Sequence, residues 1–471
     1  MHCLGNERLS AGRRRGNTDG SSYKNNKRFV IVSRPIRTHR AFCASAMLLC
    51  SLPLMAEEAA EGLLEGSSLQ LINRNFYFNR DFRSRGDGIF NPRQQSYREE
   101  WAQGFQGFFS SGYTAGTLGV GIDAHALLGL KLDSGGGTSG TNLLPLDSQR
   151  RAEDDFSAAG AALKLRAFDT EMKVGDLFPI TPVFQRGDGR LLPQSFRGVS
   201  LRNTSLDGLT LQGGHLHAAR NKASSNHDGE MSTEYGGTAY RSASYLGGDY
   251  AFADGTAFSL YQARFEDVWT QRYMSLARTF AFDEGHALDL GGNFYRTRDQ
   301  GRALAGDIAT DSWSTYARLR TGAHSMTLAY QRIDGDQPFD YLGDGDSIYL
   351  ANSVLYSDFN SPNERSWQIR YDFELAAWGL PGLSFMARYL RGSGIDNSEV
   401  DSTGAYAYYA TLGDGGKHWE RDFQLKYVVQ SGPAKNLSWV VQQTTHRANS
   451  AQADGDVDQV RIITQYPVDV F

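Results

Sequence analysis

The sequence predicts an all-β protein, a transmembrane antiparallel β-barrel with loops folded into its lumen. Three observations carry this. Runs of alternating apolar and polar residues recur from about residue 60 to the C-terminus, the period of a strand with two unlike faces. Tight turns and long polar connections join these runs. Beyond the N-terminus no apolar run reaches the roughly 18 residues that a membrane-spanning helix needs.

Taken in order, the N-terminus is a separate unit. Arg34, Arg37 and Arg40 precede Ala41–Ala56, "AFCASAMLLCSLPLMA", the basic, apolar and small-residue order of an export signal. Residues 1–56 are therefore expected to be a signal peptide with a spurious N-terminal extension, cleaved after Ala56, and residues 57–471 the barrel. All three cysteines (Cys3, Cys43, Cys50) lie in the removed part, which excludes a disulfide framework or a cysteine-bound metal. Removal of residues 1–56 leaves 38 Lys+Arg against 51 Asp+Glu, a net of −13. An exported chain so acidic is not a nucleic-acid binder.

Hairpins fill the remainder. In Thr315–Arg332, Met326, Leu328 and Tyr330 face one way, and Ser325, Thr327, Ala329 and Gln331 the other. Tyr371, Phe373 and Leu375 oppose Asp372 and Glu374; after a Gly-Leu-Pro-Gly turn, Leu383, Phe385, Ala387 and Tyr389 oppose Ser384 and Arg388. Phe423, Leu425, Tyr427 and Val429 alternate with Gln424, Lys426 and Gln430, and Leu437, Trp439 and Val441 return after a Ser-Gly-Pro turn. Aromatics near strand ends suit interfacial girdles, so the apolar faces are expected to meet outer-membrane lipid and the polar faces water. At roughly 20–25 residues per strand and connection, the texture predicts about 16–20 strands.

One segment breaks the texture. "GDLFPITPVFQRGDGRLLPQSFRG" carries Pro179, Pro182 and Pro193, which forbid a central strand, and yet is apolar at Phe178, Val183, Phe184, Leu191 and Leu192. A loop tucked into a barrel lumen satisfies both facts. Catalytic signals are weak: His215 and His217 form an H-x-H pair without a third ligand, and "GVGIDA" lies in strand texture without a following helix. Asp344 and Asp346 lack the oxygens of a calcium loop, so no metal and no cofactor is expected.

"SLQLINRNFYFNRDF", "VGDLFPITPVFQRGDGRLLPQSFRG", "GDQPFDY", "SIYLANSVLYSDFN", "GLPGLSFMARYLRG" and "KYVVQSGPAKNLS" resemble the substrate-specific outer-membrane porins of the OprD type along essentially the whole mature length. The resemblance implies an 18-stranded, monomeric barrel in a Gram-negative outer membrane, narrowed to an eyelet and passing small solutes by diffusion. It implies a carboxylate-guiding basic ladder at Arg80, Arg98, Arg190, Lys426 and Arg461. Val440 and Gln442 stand where similar relatives have two further arginines, which weakens that guidance. It also implies a pocket for the cationic end of a substrate at Tyr235, Tyr341, Asp346, Ser347, Tyr356 and Asp358. The substrates expected are basic amino acids and short basic peptides, with small aromatic or aliphatic carboxylates as the alternative.

A serine-peptidase activity has been attributed within the family, and His215, Asp267 and Ser347 match it; the reading here is a channel and no enzyme. The terminal Phe471 suits the signal read by the barrel assembly machinery, but it falls on the parity of Arg461 and Gln465.

Overall fold

The structure, a computed structural model, describes residues 62–83, 96–135 and 137–471. The expected signal peptide, residues 1–56, lies outside them.

The alternating runs become strands. First come β1 (Ser68–Phe82), β2 (Tyr97–Ser110), β3 (Leu118–Asp133), β4 (Asp155–Ala167), β5 (Thr170–Leu177), β6 (Ser195–Asn203) and β7 (Leu209–Arg220). A two-residue hairpin, β8 (Met231–Ser232) with β9 (Ala239–Tyr240), sits within the next loop. Then follow β10 (Ala243–Ala251), β11 (Thr256–Phe265), β12 (Trp269–Asp283), β13 (His286–Asp299), β14 (Ala309–Thr321) and β15 (His324–Asp334). The last are β16 (Arg365–Glu374), β17 (Leu383–Asp396), β18 (Asp414–Val428), β19 (Ser438–Ala448) and β20 (Val457–Asp469).

Apart from β8 and β9 these form one sheet of 18 strands. It closes where β20 pairs antiparallel with β1, from Gln70 opposite Asp469 to Phe82 opposite Val457. Among the described residues, closure leaves no edge of this sheet unpaired, the condition for β-structure in lipid.

The faces are inverted relative to a soluble sandwich. Leu328 (56% exposed), Leu425 and Val441 point outward, whereas Gln331, Asp422 and Thr444 point inward and are buried. Tyr427 stacks on Trp439 (6.0 Å) and Trp378 stands exposed, both at the short-turn end. That is the position of an interfacial girdle. Leu328→Arg, in the middle of this outward face, is expected to cost about 2–4 kcal/mol, read as a lower urea midpoint in lipid vesicles.

Some sequence expectations shift. The strand read through Leu375 ends at Glu374, and Leu375–Trp378 form a 3₁₀ turn. The turn after β18 is wider than Ser-Gly-Pro: Val429 donates to the Leu437 carbonyl (2.9 Å) outside both strands. Phe471 lies past the end of β20, so strand alternation no longer sets its face, although its carbonyl still accepts from Leu69 (3.2 Å).

The lumen is not polar all round. Tyr245, Tyr261, Trp269, Tyr273, Tyr295 and Ile333, from β10 to β15, turn inward and are buried. They form one apolar cluster with Val183 and Phe184 of loop 178–194 and with Phe339, Tyr341 and Leu342 of loop 335–364. This third of the wall thus binds infolded loops, and buried charged side chains turn inward from another third, β17 to β2.

Candidate functional site: the constriction

Loop 178–194 enters the lumen because its side chains prefer that aromatic cluster to water. Phe184 packs edge-on against Phe196 (4.8 Å) and stacks near Tyr245 (5.9 Å) and Phe265 (6.1 Å). Val183, Phe184, Leu191 and Leu192 are fully buried. Loop 335–364 meets it along a seam. Gln185 donates its backbone N–H to Ser347 Oγ (2.9 Å), Asp346 donates to the Gln185 carbonyl (3.1 Å), and Asp188 donates to Asp346 Oδ2 (3.2 Å). Only glycine fits at the centre of this seam: a Cβ on Gly187 would lie 1.9 Å from the Asp344 carbonyl oxygen.

Facing the seam is the charged wall, ordered by strand register. From the outer, long-loop end inward, the first row runs Asp422, Thr444, Gln459, Arg80, Arg98. The next runs Gln424, Gln442, Arg461, Phe78, Glu100. Lys426, Val440 and Ile463 follow, and then Ser438, Gln465 and Arg74. Four of the five expected ladder residues, Arg80, Arg98, Lys426 and Arg461, therefore share one strip of wall, and Arg190 reaches it from loop 178–194.

Three of its arginines converge on one ring. The guanidinium carbons of Arg461, Arg80 and Arg190 lie 4.6, 5.2 and 5.4 Å from the Phe78 centroid. Backbone carbonyls hold two of them, Arg461 donating to Leu355 (3.0 Å) and Arg190 to Thr141 (2.9 Å), while Arg80 donates to Gln459 Oε1 (3.2 Å); the adjoining Arg98 donates to the Gly140 carbonyl (2.9 Å). Loop 134–154 is itself pinned by the buried Glu100 carboxylate, which accepts from Gly140 (3.0 Å) and Thr141 (3.0 Å). Burial first, and then the charge of Arg80, pull the Arg190 guanidinium down to about 9, still a cation at neutral pH. Crowded guanidinium groups around a π-face create a positive region that an anion relieves.

Two members of the strip escaped the sequence reading. Arg74 is buried, pairs with Asp188 (2.9 Å) and donates to the Arg190 carbonyl (2.6 Å). Burial opposes ionisation of Asp188, but the charges of Arg74 and Arg186 prevail and hold its carboxyl below the usual range. Phe78 is the shared ring. In "NRNFYFNRDF", Arg74, Phe78 and Arg80 share one parity, and that signal could have found both.

The six residues expected as a cation-end pocket all reach the infolded loops, where they divide among three tasks. Asp358 is buried and accepts from Tyr235 Oη (2.7 Å), Tyr341 Oη (2.9 Å) and Ser353 Oγ (2.8 Å), which ties loop 221–242 to loop 335–364. Asp346 and Ser347 hold the seam with loop 178–194. Tyr356 crosses to the wall, its ring 5.0 Å from the Arg80 guanidinium. Burial and the neighbouring Asp358 raise the Tyr235 hydroxyl well above its ordinary value. For Asp344, burial is outweighed by Lys222, whose Nζ lies 3.0 Å away, and the carboxyl is lowered.

The neutral rungs lie in the strip as well. Val440 stands between Lys426 and Ile463, and Gln442 donates to Gln424 Oε1 (2.8 Å) beside Arg461. The three residues matched to a peptidase do not assemble. His215 and His217 face outward and are exposed, and His215 Nδ1 is bonded to Ser244 Oγ (2.8 Å). Asp267 is paired with Arg302 (2.8 Å), and Ser347 Oγ accepts from Gln185 in the seam.

Where long loops 300–308, 335–364 and 397–413 meet, a cavity of about 530 Å³ opens. Among the described residues its lining holds Asp299, Asp307, Asp336, Glu399 and Asp401 and no lysine or arginine.

A single-chain barrel with a lipid-facing apolar exterior, infolded loops and a charged strip beside its constriction is an outer-membrane diffusion channel, a porin. Residues 61–470 match the family model described as outer membrane porin, OprD family, and the chain belongs to that family. It is 44% identical over 421 residues to Porin D of Pseudomonas aeruginosa, across 88% of this chain and 93% of that one. Its structure resembles P. aeruginosa OpdG (TM-score 0.79, 39% identity, 87% of this chain and 100% of that one). It also resembles P. aeruginosa OpdK solved with vanillate (TM-score 0.77, 35% identity, 87% and 100%). The protein passes small solutes across the outer membrane of a Gram-negative bacterium and is not an enzyme.

Proposed function

We propose that this porin selects basic amino acids and short basic peptides. The observation that carries the reading is the separation of charge along the route. Five carboxylates, with no lysine or arginine among the described lining residues, line the cavity among the long loops that this reading takes as the mouth. Deeper in, a strip of basic groups runs down one wall, opposite the Asp346 and Asp358 side of the infolded loops. A mouth of one sign raises the local concentration of oppositely charged solutes. The carboxylate of an amino-acid cation gathered there is drawn toward the positive region of Arg80, Arg190 and Arg461, whose side chains are themselves buried. The neutral rungs Val440 and Gln442 moderate that grip, so the carboxylate is guided without being trapped.

A second reading, small aromatic or aliphatic carboxylates, is favoured by the convergence of three arginines on Phe78, a ring-and-cation arrangement suited to an aromatic acid. The likeness to OpdK solved with vanillate points the same way. Val440→Arg separates the two. With the basic-solute route in place, the variant raises benzoate flux two- to fivefold in proteoliposomes from a low base, by about 0.4–1 kcal/mol of added guidance. Wild-type flux of benzoate above that of arginine, with no gain in the variant, supports the second reading instead.

A further inference from the structure

At the outer end of the charged wall two buried histidines face each other, His446 one row beyond Arg80 and His418 two. His418 on β18 and His446 on β19 are 2% and 0% exposed, and His418 Nδ1 lies 2.8 Å from His446 Nε2. Asp454, in loop 449–456, completes a group whose ligand atoms all lie within 4.8 Å of one another.

Each of the three is already held from behind. His418 Nε2 meets Glu364 Oε1 at 2.6 Å, His446 Nδ1 meets the Gly455 carbonyl at 2.8 Å, and Ser357 Oγ donates to Asp454 Oδ2 at 2.6 Å. A carboxylate behind one imidazole and a carbonyl behind another are the outer partners that fix ligating histidines. The carbonyl can only accept, so His446 Nδ1 carries the proton and Nε2 turns its lone pair toward His418. With a metal ion on His418 Nδ1, the proton would sit on Nε2 and be donated to Glu364 Oε1 behind it.

The surroundings suit a cation. Phe359 stacks on His418 (4.2 Å) and Tyr356 packs on His446 (4.9 Å), which forms a dry collar. Glu364, Glu420 and Asp454 supply buried carboxyl oxygens, while Arg388 and Arg447 are committed to Asp422 (2.6 Å) and Asp458 (2.9 Å). Gly392 permits the approach: a Cβ there would lie 2.0 Å from Glu364 Oε1.

We propose that His418, His446 and Asp454 bind one divalent transition-metal ion, with zinc the best match to two imidazoles and a carboxylate. At Zn–N distances of about 2.0–2.1 Å the two nitrogens part by roughly half an ångström. The ion ties β18, β19 and loop 449–456 together and, through Glu364, anchors loop 335–364 beside the constriction. The sequence reading weighed His215 and His217 and passed over this pair, whose members stand 28 residues apart.

The test is zinc chloride titrated calorimetrically into the untagged, refolded barrel, with each variant first checked for native heat-modifiable mobility. Wild type is expected to bind one ion per chain, His446→Gln to bind none, and Glu364→Gln to bind about 10–100-fold more weakly. Should His446→Gln fail to fold, Asp454→Asn keeps the Ser357 bond and is expected to lose at least tenfold. Anomalous scattering at the zinc edge is expected between the two imidazoles. Absence of binding to wild type, equal binding by the folded variants, or anomalous density elsewhere would overturn the proposal.

Discussion

Gly187→Val opens the constriction and raises single-channel conductance roughly twofold or more, with frequent transitions between levels. Any side chain at this position meets the Asp344 carbonyl oxygen, a backbone atom that no rotamer change can move aside. Besides Gln194 Nε2 to the Gly343 carbonyl (3.0 Å) and Tyr349 Oη to Gln185 Oε1, three hydrogen bonds beside Gly187 hold the seam, from Gln185 to Ser347, from Asp346 to Gln185 and from Asp188 to Asp346. At about 1 kcal/mol net apiece, their loss costs about 3 kcal/mol. That shifts the balance between closed and parted loops by about a hundredfold. Unchanged conductance in planar bilayers would show that the two loops do not set the limiting aperture. Ser347→Ala removes one of the three bonds and is expected to lie between wild type and Gly187→Val.

The second large effect concerns the wall on which the strip is mounted. Arg388→Ala is expected to destabilise the barrel by about 3–5 kcal/mol, because it strands a buried carboxylate. Arg388 Nε lies 2.6 Å from Asp422 Oδ2, and Thr444 donates to the other oxygen at 2.6 Å. With the guanidinium gone, Asp422 keeps one hydroxyl partner and no countercharge. The double variant Arg388→Leu, Asp422→Leu removes both charges and is expected to lose far less. Urea unfolding in vesicles, followed by tryptophan fluorescence, gives the comparison; equal midpoints for wild type and Arg388→Ala would contradict it.

How far the sequence could be read depended on the kind of physics at each residue. Strand alternation is local, so Met326, Leu328 and Tyr330 against Thr327 and Gln331 declared both their faces, and the structure places them outward and inward as expected. Prolines 179, 182 and 193 with buried neighbours likewise marked the infolded loop. Tertiary effects were not legible. Nothing local says that Tyr245, Tyr273 and Tyr295 turn into the lumen to receive that loop. Nor does anything local say that Asp358 spends its oxygens on Tyr235, Tyr341 and Ser353. The ladder residues came from family resemblance, and register supplied what resemblance lacked, namely the shared ring of Phe78 and the lower rung Arg74. His418 and His446 were invisible because their pairing depends on the register of two strands and on two separate loops.

The central claim is that an acidic mouth and a partly neutral basic strip together favour solutes that carry both charges with a cationic excess. Its most direct test is swelling of liposomes that contain the refolded barrel, comparing arginine and lysine with benzoate, glutamate and a neutral sugar of similar size. Faster swelling in arginine and lysine than in every other solute is the predicted result. Faster swelling in benzoate or glutamate would contradict it and would show that Arg80, Arg190 and Arg461 govern selection despite the carboxylates at the mouth.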